Sequence, residues 1–160
     1  MRLPLPGKLR GPKLPRMTIS TSAYMSFPGI AAEAFKFYHS VFGGDLHVIT
    51  YGEQIDAGVE FPFDAPREAV ANGFLSGPFS LTGGDDLQRS AEKLSPGDIN
   101  FTAEVSSHEE GEQLIEKLTA DGGLVHMPFA VAPWGDRFGV VEDRFGVRWN
   151  VTTSSDGGQN

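Results

Sequence analysis

The sequence predicts an α+β fold built from two modules, each a strand, a helix and three further strands. Three observations carry this. That order of elements can be read twice along the chain. Both predicted helices run into paired glycines, Gly43-Gly44 and Gly122-Gly123. Laying Gly44 on Gly123, an offset of 79 residues, also lays Phe35 on Leu114, one inward-facing helical residue on another. Neither half could bury a sheet face alone, so the halves must pack together.

The first module is predicted over about 20–90. "AYMSFPG" alternates and reads as a strand. "IAAEAFKFYHSVFGG" then places Ala31, Ala34, Phe35, Tyr38, Val41 and Phe42 on one helical stripe, closed by glycines that accept a left-handed backbone. "DLHVITYGE" reads as a strand and residues 54–67 as a Pro- and Asp-containing loop. "AVANGFLSG" and "FSLTGGDD" form a hairpin around Gly77-Pro78.

The second module is predicted over about 97–153. "INFTAEVSS" is a strand. Ser107 and Glu110 form a capping box for a helix that turns Leu114, Ile115 and Leu118 inward. "LVHMPFAVA", "RFGVVED" and "VRWNVTT" supply the last three strands.

Asp-Arg-Phe-Gly occurs at Asp136–Gly139 and again at Asp143–Gly146. A spacing of seven is odd, so on one continuous strand the copies would face opposite ways. The repeat therefore predicts a strand over 137–142, a turn over 143–146 and a returning strand from 147. The second copy supplies turn residues. The first, preceded by Trp134, is available to a ligand or to ordinary structure, in which Trp134 and Phe138 pack and Arg137 pairs with an acid.

The 160-residue length suits one compact domain, and 39% hydrophobic and 11% aromatic residues fit a globular chain. No apolar run approaches the roughly 20 residues that cross a bilayer. The absence of cysteine excludes disulfides, thiolate metal sites and cysteine nucleophiles, and is in keeping with the cytoplasm. The formal charge is -8, but residues 1–16 hold five basic residues and no acid. Without them, eight basic residues face 21 acids. Such a body repels nucleic acid and anionic membranes. The Pro-rich basic segment 1–19 is expected to be a disordered extension, with Met17 a natural start, and 154–160 a disordered tail.

The stretches "YMSFPGIAAEAFKFYHSVFGG" and "WGDRFGVVEDRFGVRWNV" resemble the PhnB-like branch of the vicinal oxygen chelate (glyoxalase/bleomycin resistance/dioxygenase) superfamily, in order and over residues 20–153. The resemblance implies paired βαβββ modules forming a cupped mixed sheet around a small-molecule cavity, commonly in a homodimer. It also implies, for the enzymes of the superfamily, a divalent metal held by His, Gln or Glu on four strands. This chain departs from that pattern at each comparable place. The first strand offers Thr21 to Tyr24, the fourth Ser80 and Thr82, and its acids Asp85 and Asp86 come later. Asn100 takes the place of the metal histidine and Asn150 that of the last glutamate. Two amides without a central carboxylate make a weak site, so no metal and no cofactor are expected.

His39, His47 and His108 are read as surface groups, and His126 is a weak candidate for a catalytic base with no orienting partner in the sequence. Some PhnB-like proteins carry a methyltransferase label, yet the chain has no strand–GxGxxG–helix element, nor a GxSxG elbow or phosphate-binding loop. The leading expectation is a metal-independent protein that binds a small molecule, with or without a reaction. Its ligand contacts are expected at Tyr24, Asn100, Trp134, Arg137 and Asn150, with Arg137 the fork for a carboxylate or phosphate. The alternatives are a drug-sequestering protein, with Trp134, Tyr24 and Trp149 stacking on a cationic drug, a metal-dependent lyase or dioxygenase, or a purely structural module.

Overall fold

A computed structural model describes residues 22–95 and 100–153. The segments 1–19 and 154–160, expected to be a disordered extension and tail, lie outside the described residues. Along the chain come β1 (Tyr24–Phe27), α1 (Ala31–Phe42), β2 (Asp45–Thr50), α2 (Tyr51–Asp56), β3 (Val70–Ser76) and β4 (Leu81–Asp85). The second module follows with β5 (Phe101–Val105), α3 (His108–Thr119), β6 (Leu124–Val131), β7 (Arg137–Glu142) and β8 (Arg148–Thr153). Each module forms its own four-stranded mixed sheet, in the orders β1-β4-β3-β2 and β5-β8-β7-β6. The first strand of each module runs parallel to the last, and the other pairings are antiparallel. The two sheets are thus built to one plan, as the α+β reading requires.

One element was not foreseen. Residues 51–56, expected as strand and loop, form α2. The cause is a complete capping box: Thr50 Oγ1 accepts the Glu53 N–H, and Glu53 returns a carboxylate to the Thr50 N–H. The predicted box at α3 is only half formed. Ser107 Oγ accepts from Glu110 N, while the Glu110 carboxylate takes Ser106 N and Oγ.

The helices cover one face of each sheet. Phe35 of α1 lies so close on Gly73 of β3 that a Cβ there would meet the ring. In the second module the roles are reversed, with Phe129 of β6 lying on Gly111 of α3. Asp85, an acid without an evident role in the sequence, accepts the first N–H of α1, from Ala31, and that of Val70 at the start of β3.

The two helix-covered faces share one core. Tyr38 and Phe42 of α1 reach across to Trp149 of β8, with ring centroids 5.9 and 5.1 Å apart, and Phe79 lies 5.0 Å from the same indole. At the centre is Asp143, fully buried in the β7–β8 turn. Its Oδ2 accepts Tyr38 Oη–H and Trp149 Nε1–H, each at 3.0 Å. Its Oδ1 accepts the backbone N–H groups of Phe145 and Val147. The second Asp-Arg-Phe-Gly copy is the expected turn, with Gly146 at φ 83°. It is also the clasp between the modules. In the first copy, by contrast, Asp136 Oδ1 is screened from solvent with no hydrogen-bond partner among the described residues.

Burial raises the Asp143 carboxyl pKa against the pull of its four donors. Burial, and then the Asp143 charge, push the Tyr38 phenol well above its ordinary value. Asp143→Ala strands two side-chain donors and two backbone N–H groups, and is expected to cost about 3–5 kcal/mol. Tyr38→Phe removes one bond and should cost about 1–2 kcal/mol. Urea unfolding followed by tryptophan fluorescence measures both. Because the folded chain holds Tyr38 neutral while the unfolded chain ionises near pH 10, stability from this group is full below that pH and is lost as pH rises beyond it. Stability measured between pH 9 and 11 should therefore fall more steeply in the wild type than in Tyr38→Phe. Equal slopes would contradict a buried neutral phenol.

Candidate functional site

Strand alternation decides which side chains a ligand can meet. In the first sheet, Phe27, Gly73, Leu75, Leu81 and Gly83 face α1 and the core. The opposite, open face therefore carries Tyr24 and Ser26 of β1, Thr82 and Gly84 of β4, Phe74 of β3 and His47 of β2. Tyr24 and Phe74 are 60% and 42% exposed. A Cβ built at Gly84 would lie 3.0 Å from the Tyr24 hydroxyl, so the glycine leaves room for the phenol to lie across the sheet. Thr82 is committed locally, donating to the Ala23 carbonyl.

In the second sheet, Val105, Val141, Trp149 and Val151 face the core. The open face presents three cross-strand rows. Glu142 pairs with Arg148, Val140 with Asn150 and Phe138 with Thr152, while Thr102 and Glu104 of β5 extend the second and third rows. Asn150 donates to Thr102 Oγ1 at 3.4 Å.

The expected contacts can now be placed. Asn150 lies on the open face of the second sheet. Asn100 is exposed one residue before β5, in step with Thr102 and so on the same side. Trp134, 64% exposed in the β6–β7 loop, packs edge-on against Phe138 at 5.8 Å and so borders that face. Tyr24 lies on the open face of the other sheet. Arg137 does not join them. It is in step with Gly139 and Val141, on the helix-covered side, and its N–H donates to Thr153 Oγ1. Its place in β7, not its charge, decides this.

The cation of this open face is Arg148, paired across the strands with Glu142. It belongs to a cluster with the buried Glu142 and with His126. Glu142 Oε2 meets His126 Nε2 at 2.9 Å and Arg148 Nε at 3.4 Å. The orienting partner that His126 lacked in the sequence is this carboxylate. A β-bulge brings it there. Val125 pairs with Val141 and Met127 with Val140, so His126 is the extra residue on β6. His39 and His47 lie at the surface, His39 with its Nε2 on the Gly44 carbonyl. His108 stacks on Phe129 at 5.6 Å and pairs with Glu112.

The donor set does not suit a transition metal. Besides hydroxyl groups and amides the open faces offer one His–Glu pair and the separate His47 and Glu104, and no three His, Cys, Asp or Glu side chains converge among the described residues. Two cavities of about 430 Å³ are present, one at the start of α1 near Asp85 and one between α1, β5 and α3 that reaches Thr102 and Glu104 at the edge of the second open face.

A sequence profile described as the Glyoxalase/Bleomycin resistance protein/Dioxygenase superfamily matches residues 24–151. Protein YjdN of Escherichia coli (strain K12) is 26% identical over 144 residues, 81% of this chain and 92% of that protein. The crystal structure of protein PA1353 from Pseudomonas aeruginosa is 30% identical, with a TM-score of 0.68 over 86% of this chain and 98% of that one. The PhnB protein from Bacillus cereus is 23% identical, with a TM-score of 0.63 over 85% of this chain and 100% of that one.

The hydrogen bond from His126, more than the neighbouring guanidinium, holds the Glu142 carboxyl below its ordinary value. A lowered carboxylate pKa stabilises the fold above the ordinary glutamate range, and that contribution is lost as pH falls through the lowered value. His126→Gln should therefore move the Glu142 carboxyl midpoint upward, read from its side-chain carbon resonance against pH. An unchanged midpoint would mean that the imidazole does not support the carboxylate in solution.

Proposed function

The chain belongs to the Glyoxalase/Bleomycin resistance protein/Dioxygenase superfamily, and from that premise we propose that it is a metal-independent protein of the PhnB-like branch that binds a small molecule against its open sheet faces. The observation that carries this is the side-chain set of those faces. They lie outside the shared core yet carry Tyr24, Asn100, Asn150 and, at the border, Trp134, which are aromatic and amide groups suited to direct contact with a polar organic ligand. Hydrogen bonding here replaces the metal through which related enzymes hold substrate oxygens.

The working form in this reading is a homodimer in the cytoplasm. The core occupies the helix side of both sheets, so among the described residues both open faces lie outside it. Besides Tyr24 and Phe74, the β6 edge leaves Leu124, Val125, Met127 and Val131 exposed. A second copy that set its first sheet against the second sheet of this one would enclose the ligand and bury this apolar surface together. The negative body argues against nucleic-acid and membrane partners. No helix among the described residues is long and apolar enough to cross a membrane.

A thermal-shift screen with aromatic metabolites, glutathione adducts and bleomycin-like glycopeptides tests the binding reading. Stabilisation with the ligand recovered unchanged supports binding alone, a chemically altered ligand supports catalysis, and no response throughout overturns the reading. Sedimentation tests the assembly: the wild type should run at twice the 17.3 kDa chain mass, and Phe74→Asp or Met127→Asp at the chain mass. A wild-type monomer would sink the homodimer.

A further inference from the structure

We propose that His126, Glu142 and Arg148 form an anion-binding site on the open face of the second module, one that takes a small molecule bearing a carboxylate or phosphate group. This deepens the open-face reading and rests on it.

Glu142 is the hub. It is 7% exposed, yet one of its oxygens serves both neighbours. A nearly buried carboxylate holding two more exposed cationic or protonatable groups leaves their outer donors directed at solvent. Arg148 spends only Nε on Glu142, and its two terminal nitrogens have no partner among the described residues. Those nitrogens are the part of the guanidinium that grips an oxyanion as a fork. The Glu142–Arg148 pair is neutral in sum, so the cluster does not repel an incoming anion.

His126 completes the site. Its Nε2 faces a carboxylate and so carries the hydrogen, which leaves Nδ1 without a partner among the described residues. That nitrogen can accept a hydrogen bond from a ligand hydroxyl, or donate to an anion when the ring is protonated. The side chains of His126 and Arg148 are 35% and 40% exposed, so both can be reached. Asn150 and Thr102 occupy the next row and supply an amide and a hydroxyl. The other charged group on this face, Glu104, lies one row further, level with Thr152. Its negative charge closes the far side to a second anion, so the anionic end of a ligand points to Arg148 and its remainder toward Phe138 and Trp134. A bulge that inserts an extra residue to aim one imidazole is expensive for a mere surface pair, and it accords with a binding role.

The test is a titration of the full chain with phenyl phosphate, benzoate and inorganic phosphate. It is followed through the side-chain Nε–H signal of Arg148, the ring signals of His126 and the indole signal of Trp134. Phenyl phosphate or benzoate should give saturable shifts at Arg148 and His126, and the stronger of the two identifies the preferred anion. Arg148→Gln should weaken that binding at least tenfold, and it should unfold in urea close to the wild type. His126→Gln, which keeps a polar side chain at the bulge, should weaken it to a smaller extent. Saturable shifts at Trp134 with Arg148 unmoved, or equal affinity in Arg148→Gln, would overturn the anion site while leaving the open-face reading intact. No saturable shift at any of the three groups would overturn the anion site and count against that reading as well. Shifts with inorganic phosphate alone would reduce the cluster to a site for adventitious ions and overturn the proposal.

Discussion

Everything in this architecture hangs on one carboxylate that has been taken out of water. Asp143 is fully buried and survives there because four donors converge on its two oxygens. Two of those donors shape its own turn. The other two are the Trp149 indole in the returning strand and the Tyr38 phenol, 105 positions earlier on the helix of the other module. A buried charge without such partners would cost several kcal/mol, so the fold cannot relax one donor without exposing the others. The consequence is geometric. The helix of the first module is held against the strand side that the second module covers, and the aromatic rings around Trp149 fill the seam. Once the modules are joined back to back in this way, both remaining sheet faces turn outward. The open faces proposed above for binding are thus a by-product of how the core is clasped.

That clasp explains what could be read from the sequence and what could not. Local signals were legible: the apolar stripe that buries Ala31, Ala34, Phe35 and Tyr38, the glycines after both helices, and the turn at 143–146. The Thr50-x-x-Glu53 box was equally local and would have revealed α2, had it been weighed against the strand pattern before it. The two Asp-Arg-Phe-Gly copies mark the limit. They are identical over four residues, yet Asp143 gathers four donors while Asp136 leaves an oxygen unpartnered. The difference lies in Tyr38 and Trp149, and no spacing rule couples a helix in one module to a turn in the other.

The candidate site shows the same division. Asn100 and Asn150 could be placed together only through the resemblance, which lays both on metal-ligand positions; the structure sets Asn100 just before β5 and Asn150 on the neighbouring β8. Arg137 could not, because its facing depends on where the loop after Trp134 ends and β7 begins, and a shift of one residue reverses every side chain. The bulge at His126 is a departure from regular alternation, so a method that relies on alternation passes over it. The partner of His126 thus falls where the backbone breaks period, which is also where a strand can aim a side chain off its regular course.

The two open faces are built alike but armed differently. The first offers hydroxyl groups and aromatic rings, with glycine leaving room for Tyr24. The second carries the charged hub of Glu142, with Arg148 and His126 held at its rim. Had the faces carried carboxylates and imidazoles in matching rows, the doubled fold would have supplied a symmetric set of metal ligands. Here the rows hold Val140–Asn150–Thr102 and Phe138–Thr152–Glu104 instead. A ligand met by such rows is held through its own hydrogen bonds and its own charge. In the reading proposed above, its orientation would follow from the asymmetry of the protein: a ring toward Trp134 and Phe138, an anionic end toward Arg148. A metal centre fixes whatever oxygens reach it, whereas such an arrangement would favour a molecule that carries both ends at once. The doubled plan of the two sheets makes the scaffold, and the difference between their open faces would set the direction in which a ligand lies.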